Sequence, residues 1–234
     1  MIRQWLLAHK SFVVSATSGS VVAALVAIAA VVSTGYTAQR LDLADGAVWV
    51  TNSQQQVLGR ANTEVLELNS VVSATGTDID VLQQGGTVLL LELTENKIDI
   101  VNAATSQITD SVALPPNQPE VLLASDRVVI LERGTGELWI VATSDLASFD
   151  AQSESTLSLG ANAIISLDPA GLLFAYSPTA ALVYRIDAAV GDSVESTQAV
   201  TLGAVPAALS MTSVGGRWAA LDTQTNTLVF DGRS

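Results

Sequence analysis

The chain has 234 residues, of which 49% are hydrophobic and only 14% charged, with no cysteine and a single histidine, His9. Without thiols there can be no disulfide scaffold, thiolate metal site or cysteine nucleophile, and beyond residue 9 there is no imidazole for base catalysis or metal binding. A formal net charge of −13 repels phosphate backbones, which excludes nucleic acid as a partner.

Charge is unevenly placed along the chain. Arg3 and Lys10 are the only charged side chains before Arg40, whereas eight basic and 23 acidic residues follow from there, a net −15. The 29 residues between Lys10 and Arg40 carry no charge, enough to cross a hydrocarbon core that needs roughly 20 helical residues. Residues 1–10 therefore read as a basic cytoplasmic stub and 11–35 as a transmembrane signal-anchor, with residues 36–234 outside the membrane. The strictly apolar centre, Val21 to Val32, also suits a cleaved signal peptide, with Ser33 and Gly35 supplying the small residues before the cut. Retention is the preferred reading, which puts the protein in a plasma membrane as a single-pass chain with its N-terminus in the cytoplasm.

Beyond Leu41, β-branched and leucine runs alternate with polar turns, and no 3.6-residue period appears. The runs recur. "GAVWVTN" at Gly46, "GTVLLLEL" at Gly86, "DRVVILER" at Asp126, "GLLFAYS" at Gly171 and "GRWAALD" at Gly216 are spaced by 40, 40, 45 and 45 residues. A second strand starts 11 or 12 residues after each anchor, and Asn62, Asn102, Asp187 and Asp231 close four of these five strands. Further on, Gly76, Pro116, Gly160 and Gly203 mark a rigid turn before a short final strand. Four strands in 40 to 45 residues match a β-propeller blade, and a plain β-sandwich would not need equal periods. The expected fold is all-β, with propeller-like repeats of four-stranded blades forming an incomplete ring of four blades and half of a fifth. In that scheme the closing "VGGRWAALDTQTNTLVFDGRS" is the inner hairpin of a fifth unit lacking its outer pair, and the domain reads as truncated. In the alternative, "RLDL" at 40–43 lends a strand that nearly closes a small ring.

"VWVTN", a hairpin, an Ile–Asp or Asn strand and then "LGAVP" resemble the YVTN-type propeller repeats of bacterial surface proteins. The wider layout is similar to the N-terminal part of actinobacterial membrane-anchored proteins that carry fibronectin type III or Ig-like domains. This resemblance implies a role at the cell surface and assigns no reaction.

Few residues suggest chemistry. Asp78 and Asp80, two apart on an expected strand, share a face of it and are weak candidates for binding a cation together. However, no Asp-x-Asp-x-Asp-Gly loop accompanies them, so solvated carboxylates in a connecting turn are the simpler reading. "RGTGEL" at 133–138 joins two strands with no helix after it, which makes it a hairpin turn and no phosphate cradle. Trp49, Trp139 and Trp218 are expected between blades. No catalytic residue, cofactor-binding residue or cofactor is assigned. The expected function is therefore a non-catalytic binding or scaffold module at a bacterial cell surface, with a protein or cell-wall ligand as partner. The alternatives are a fragment of a quinoprotein- or lactonase-type propeller enzyme and a cleaved, secreted propeller.

Overall fold

The computed structural model describes residues 47–62, 67–190, 194–199 (backbone only) and 209–231, all within the compact unit Arg40–Ser234. The proposed signal-anchor at 11–35 and the segment at 40–43 lie outside the described residues. Among the described residues no helix is long and apolar enough to cross a membrane.

Among the described residues, eighteen strands form five antiparallel sheets in chain order. The first sheet holds β1 (Ala47–Asn52), β2 (Val57–Asn62) and β3 (Glu67–Ser73). Four strands make the second: β4 (Ile79–Gln84), β5 (Thr87–Glu92), β6 (Lys97–Asn102) and β7 (Gln107–Ala113). The third has β8 (Pro119–Ala124), β9 (Arg127–Glu132), β10 (Glu137–Ala142) and the short β11 (Leu157–Ser158). The fourth comprises β12 (Ile164–Leu167), β13 (Leu172–Ser177), β14 (Leu182–Asp187) and β15 (Val194–Ala199). The last holds β16 (Leu209–Val214), β17 (Arg217–Asp222) and β18 (Thr227–Phe230).

This corrects the expected phase of the repeat by one strand. The short strand after each rigid turn does not end a unit; it opens the next sheet. β4, for example, pairs with β5 through the tight turn at Gly85–Gly86, Gln84 standing opposite Thr87. Gly76 and Pro116 thus mark crossovers between sheets, not hairpins within one. The final hairpin is likewise not an inner pair, because β17 lies between β16 and β18. Among the described residues, three four-stranded sheets are flanked by two three-stranded ones.

Strand pattern follows from how the sheets stack. In β5, Val88 and Leu90 pack on Trp49, Leu58 and Val72 of the first sheet. Leu89 and Leu91 point the other way, onto Val121, Val128 and Ile130 of the third. β9 repeats this, sending Val128 and Ile130 back and Val129 and Leu131 forward. In β13, Leu173 and Ala175 face the third sheet, while Phe174 and Tyr176 face the fifth. These strands are buried on both sides, which is why they read as continuous apolar runs without alternation. Each fully buried aliphatic side chain contributes about 1.5–3 kcal/mol, so the four layers between sheets carry most of the stability. Trp49, Trp139 and Trp218 each sit in one of these layers, as expected.

The extra residues of the third unit form an insertion between β10 and β11. Its 3-10 turn, Leu146–Ser148, buries Leu146 completely in the layer shared by the second and third sheets. Phe149 meets Trp139 edge-on at 5.8 Å, and the Trp139 Nε1–H donates to the Ser153 carbonyl at 3.2 Å. Because β11 pairs with only two residues of β10, the Thr156 hydroxyl takes the Ile140 N–H instead.

The turns β1–β2, β5–β6, β9–β10, β13–β14 and β17–β18 each end on a left-handed residue: Gln56, Asn96, Gly136, Ala181 and Asn226. Their carbonyls are used alike. Those of Gln56, Asn96 and Gly136 accept the N–H of Ala74, Leu114 and Leu159, where the chain leaves for the next sheet. Gly136 is constrained twice, by φ +83° and by the Gly160 backbone 2.0 Å from where a Cβ would stand. Gly136→Ala should therefore lower stability by about 1–3 kcal/mol. Ala181→Gly, which relieves a left-handed alanine (φ 53°), should raise it by a few tenths to about 1 kcal/mol. Urea unfolding of the two variants beside the parent chain measures both.

Candidate functional site

The turns ending in left-handed residues and the crossovers between sheets meet at one end of the stack, and the polar chemistry collects there. Its basis is one repeat position, the last residue of the leading strand: Asn52, Glu92, Glu132, Ser177 and Asp222. Four of these five are buried, Glu92 completely. The Glu92 carboxylate accepts from Thr75 N–H (3.0 Å), Thr75 Oγ1 (2.6 Å) and Gly76 N–H (2.5 Å) in the crossover into its own sheet. Glu132 does the same one sheet on, taking Asn117 N–H at 3.1 Å and its amide at 2.7 Å. Ser177 reverses the polarity, its hydroxyl donating to the Leu159 carbonyl at 2.5 Å. Asp222 accepts from Gln224 and Thr225 N–H at 2.9 and 3.2 Å and so caps its own turn.

Around Glu92 a larger network forms. Lys97 Nζ lies 3.0 Å from Glu92 Oε1 and 2.8 Å from Asp99 Oδ2, and the Ser111 hydroxyl donates to Asp99 Oδ1 at 2.5 Å. Both carboxylates are fully buried. Burial works to raise the Glu92 carboxyl, but hydrogen bonds from Thr75 and Lys97 outweigh it and hold the group down at about 2, against an ordinary 4.5. Burial alone would depress the Lys97 ammonium, yet the facing Asp99 and Glu92 carboxylates raise it. This arrangement is a satisfied ion cluster that ties the crossover to the second sheet, and its donors and acceptors already face one another.

The weak cation candidates lie at the same end. β4 begins at Ile79, so Asp78 stands exposed in the crossover and only Asp80 is on the strand, half-buried. The two are nonetheless close enough to interact. Burial raises the Asp80 carboxyl and the Asp78 charge adds to this, against a hydrogen bond from Val81 N–H at 2.8 Å. Glu120 occupies the same second position of β8 that Asp80 holds in β4. Burial raises Glu120 as well, and Arg133, its Nε 3.9 Å away, only partly offsets this. Among the described residues, no three His, Cys, Asp or Glu side chains are grouped so as to hold a metal ion. Arg133 to Gly136 is a turn between β9 and β10, as its sequence indicated.

Glu92, Glu132 and Glu120 were not singled out in the sequence, although a signal existed. Asn52, Glu92, Glu132, Ser177 and Asp222 follow the spacings 40, 40, 45 and 45 already found for the leading strands.

No family model matches the chain, and no curated protein matches it significantly. Solved structures do. Hsv2 of Kluyveromyces marxianus is similar at a TM-score of 0.56 and 13% identity, over 79% of this chain and 56% of that one. The computationally designed Ika8 protein is similar at 0.52 and 10% identity, over 80% and 55%. BamB of Moraxella catarrhalis, at 12% identity over 78% and 56%, scores 0.46. The chain spans just over half the length of each of these chains. Five consecutive antiparallel sheets stacked face to face, with the likeness to Hsv2, make the fold β-propeller-like.

Two predictions concern this end of the stack. Glu92→Ala leaves Lys97 to Asp99 and takes the acceptor from the Thr75 and Gly76 N–H groups, and should cost about 2–4 kcal/mol in denaturant unfolding. In the parent chain, the lowered Glu92 carboxyl gives stability that is complete above pH 4.5 and lost as pH falls towards 2, about 3 kcal/mol in all. Asp80 works in the opposite direction, because a raised carboxyl disfavours the folded state once it ionises. Asp80→Asn should therefore stabilise at pH 7, and the gain should vanish below pH 3.8. Unfolding midpoints between pH 2 and 8 separate the two signs.

Proposed function

We propose that this protein is a membrane-anchored propeller that presents a binding or scaffold surface outside a bacterial plasma membrane and catalyses no reaction. The observation that carries this reading is the use made of the buried acids. Glu92, Asp99 and Glu132 are engaged with crossovers, strands and one lysine of their own fold. The exposed acids give the module its negative charge, and the stretch of 29 uncharged residues behind a basic stub supplies the attachment. A protein or cell-wall ligand is the proposed partner. The resemblance to the N-terminal parts of actinobacterial surface proteins favours the same assignment.

The cysteine-free chain allows a direct test. Gln54→Cys, in the exposed turn after β1, should react with a membrane-impermeant maleimide in intact cells or spheroplasts. His9→Cys should react only after lysis, and both variants should stay with the membrane through alkaline carbonate extraction. Release by carbonate, or protection of Gln54→Cys until lysis, would overturn the topology on which the proposal depends.

A further inference from the structure

Three polar side chains are buried in the layer between the fourth and fifth sheets. Ser166 stands opposite Phe174 in the β12–β13 register, and Ser213 stands opposite Trp218 in the β16–β17 register. Residues directly opposite share a sheet face, and Phe174 and Trp218 belong to one packed cluster with Ile164, Tyr176 and Val229. Ser166, Ser213 and Trp218 thus enter one layer from facing sheets, with only 4%, 7% and 2% of their surface exposed. The two hydroxyls bond to each other at 2.8 Å. Such a pair uses one hydroxyl hydrogen, and the other needs a different acceptor. Among the described residues neither hydroxyl makes a further hydrogen bond, and the Trp218 Nε1–H has no acceptor. Trp139 shows the ordinary case, its Nε1–H donating to the Ser153 carbonyl. Buried donors are nearly always paired, so one layer holds two donors in need of the same thing.

We infer that this layer binds one water molecule, held between the Trp218 indole and the Ser166–Ser213 hydroxyl pair. Water matches the count of groups. Its oxygen accepts from the indole N–H and from the second hydroxyl hydrogen, and it donates to a remaining lone pair of a serine oxygen. Three polar partners within a packed interior are the usual setting of a structural water. At the joint of the first and second sheets a side chain makes the tie alone. Gln83 holds in β4 the position that Ser213 holds in β16, and its Oε1 accepts the Trp49 N–H at 3.0 Å. Serine is shorter than glutamine, and the water extends its reach.

Oxygen-17 magnetic relaxation dispersion of the solvent counts long-lived internal waters and is blind to hydroxyl protons, which separates a bound water from a serine contact. The full chain is purified in a mild non-ionic detergent beside a Ser166→Ala/Ser213→Ala variant and Trp218→Phe. Circular dichroism verifies that each folds, and Ser213→Ala alone is the milder variant if the pair does not. The serine variant should hold one long-lived water fewer than the parent. Its Trp218 indole N–H resonance, assigned by its loss in Trp218→Phe, should also move upfield as the hydrogen bond is lost. An equal water count in the parent and the folded serine variant overturns the inference. If the resonance moves while the count stays equal, the indole bonds a serine directly and the bound water is wrong. A lower count with an unmoved Trp218 resonance places the lost water away from the indole and overturns the site.

Discussion

The structure depends on central strands that are apolar on both faces. A leading strand such as β5 or β9 buries alternate side chains against opposite neighbours, so a sheet removed from the stack would expose two apolar surfaces. An isolated blade is therefore no stable object. Stability here is a property of joints, and the chain approaches the one-dimensional case in which each unit is stabilised mainly by the units beside it.

Stacking alone does not fix the angle or register at which sheets meet, and that work falls to polar groups near the crossovers. A carbonyl held in place by a left-handed residue takes the N–H of the departing strand, and a buried acceptor or donor at the end of the next leading strand holds the crossover from the other side. Side-chain ties such as Gln83 Oε1 to Trp49 N–H and Asp168 Oδ2 to Gly216 N–H link further points of neighbouring sheets. Most of the buried carboxylates are thus explained without a ligand. What remains chemically distinct is the rim near Arg133, where the Asp80 and Glu120 carboxyl groups are raised and only partly compensated.

The repeat was legible because sheets of one kind need their turns at equal intervals, and 40, 40, 45 and 45 reappear in the left-handed residues and the buried polar ends. The tryptophans between blades could be read for the same reason. Phase was not legible. A tight hairpin such as Gly85–Gly86 and a crossover such as Thr75–Gly76 use the same small and polar residues, and only pairing partners tell them apart. The Asp78–Asp80 pair was read as sharing a strand face because nothing local marks Ile79 as the strand's first residue. Glu92 and Glu132 went unnoticed because a carboxylate at a strand end resembles ordinary surface charge until the crossover it grips is folded over it.

The insertion in the third unit makes the joints unequal. Leu146, wholly enclosed, together with Phe149 and Trp139, fastens the second sheet to the third with groups that no other joint has among the described residues. Opening that seam means extracting a plug as well as separating two faces. Spontaneous local unfolding should accordingly spare this pair longest, leaving β5 and β9 as the slowest-exchanging amides.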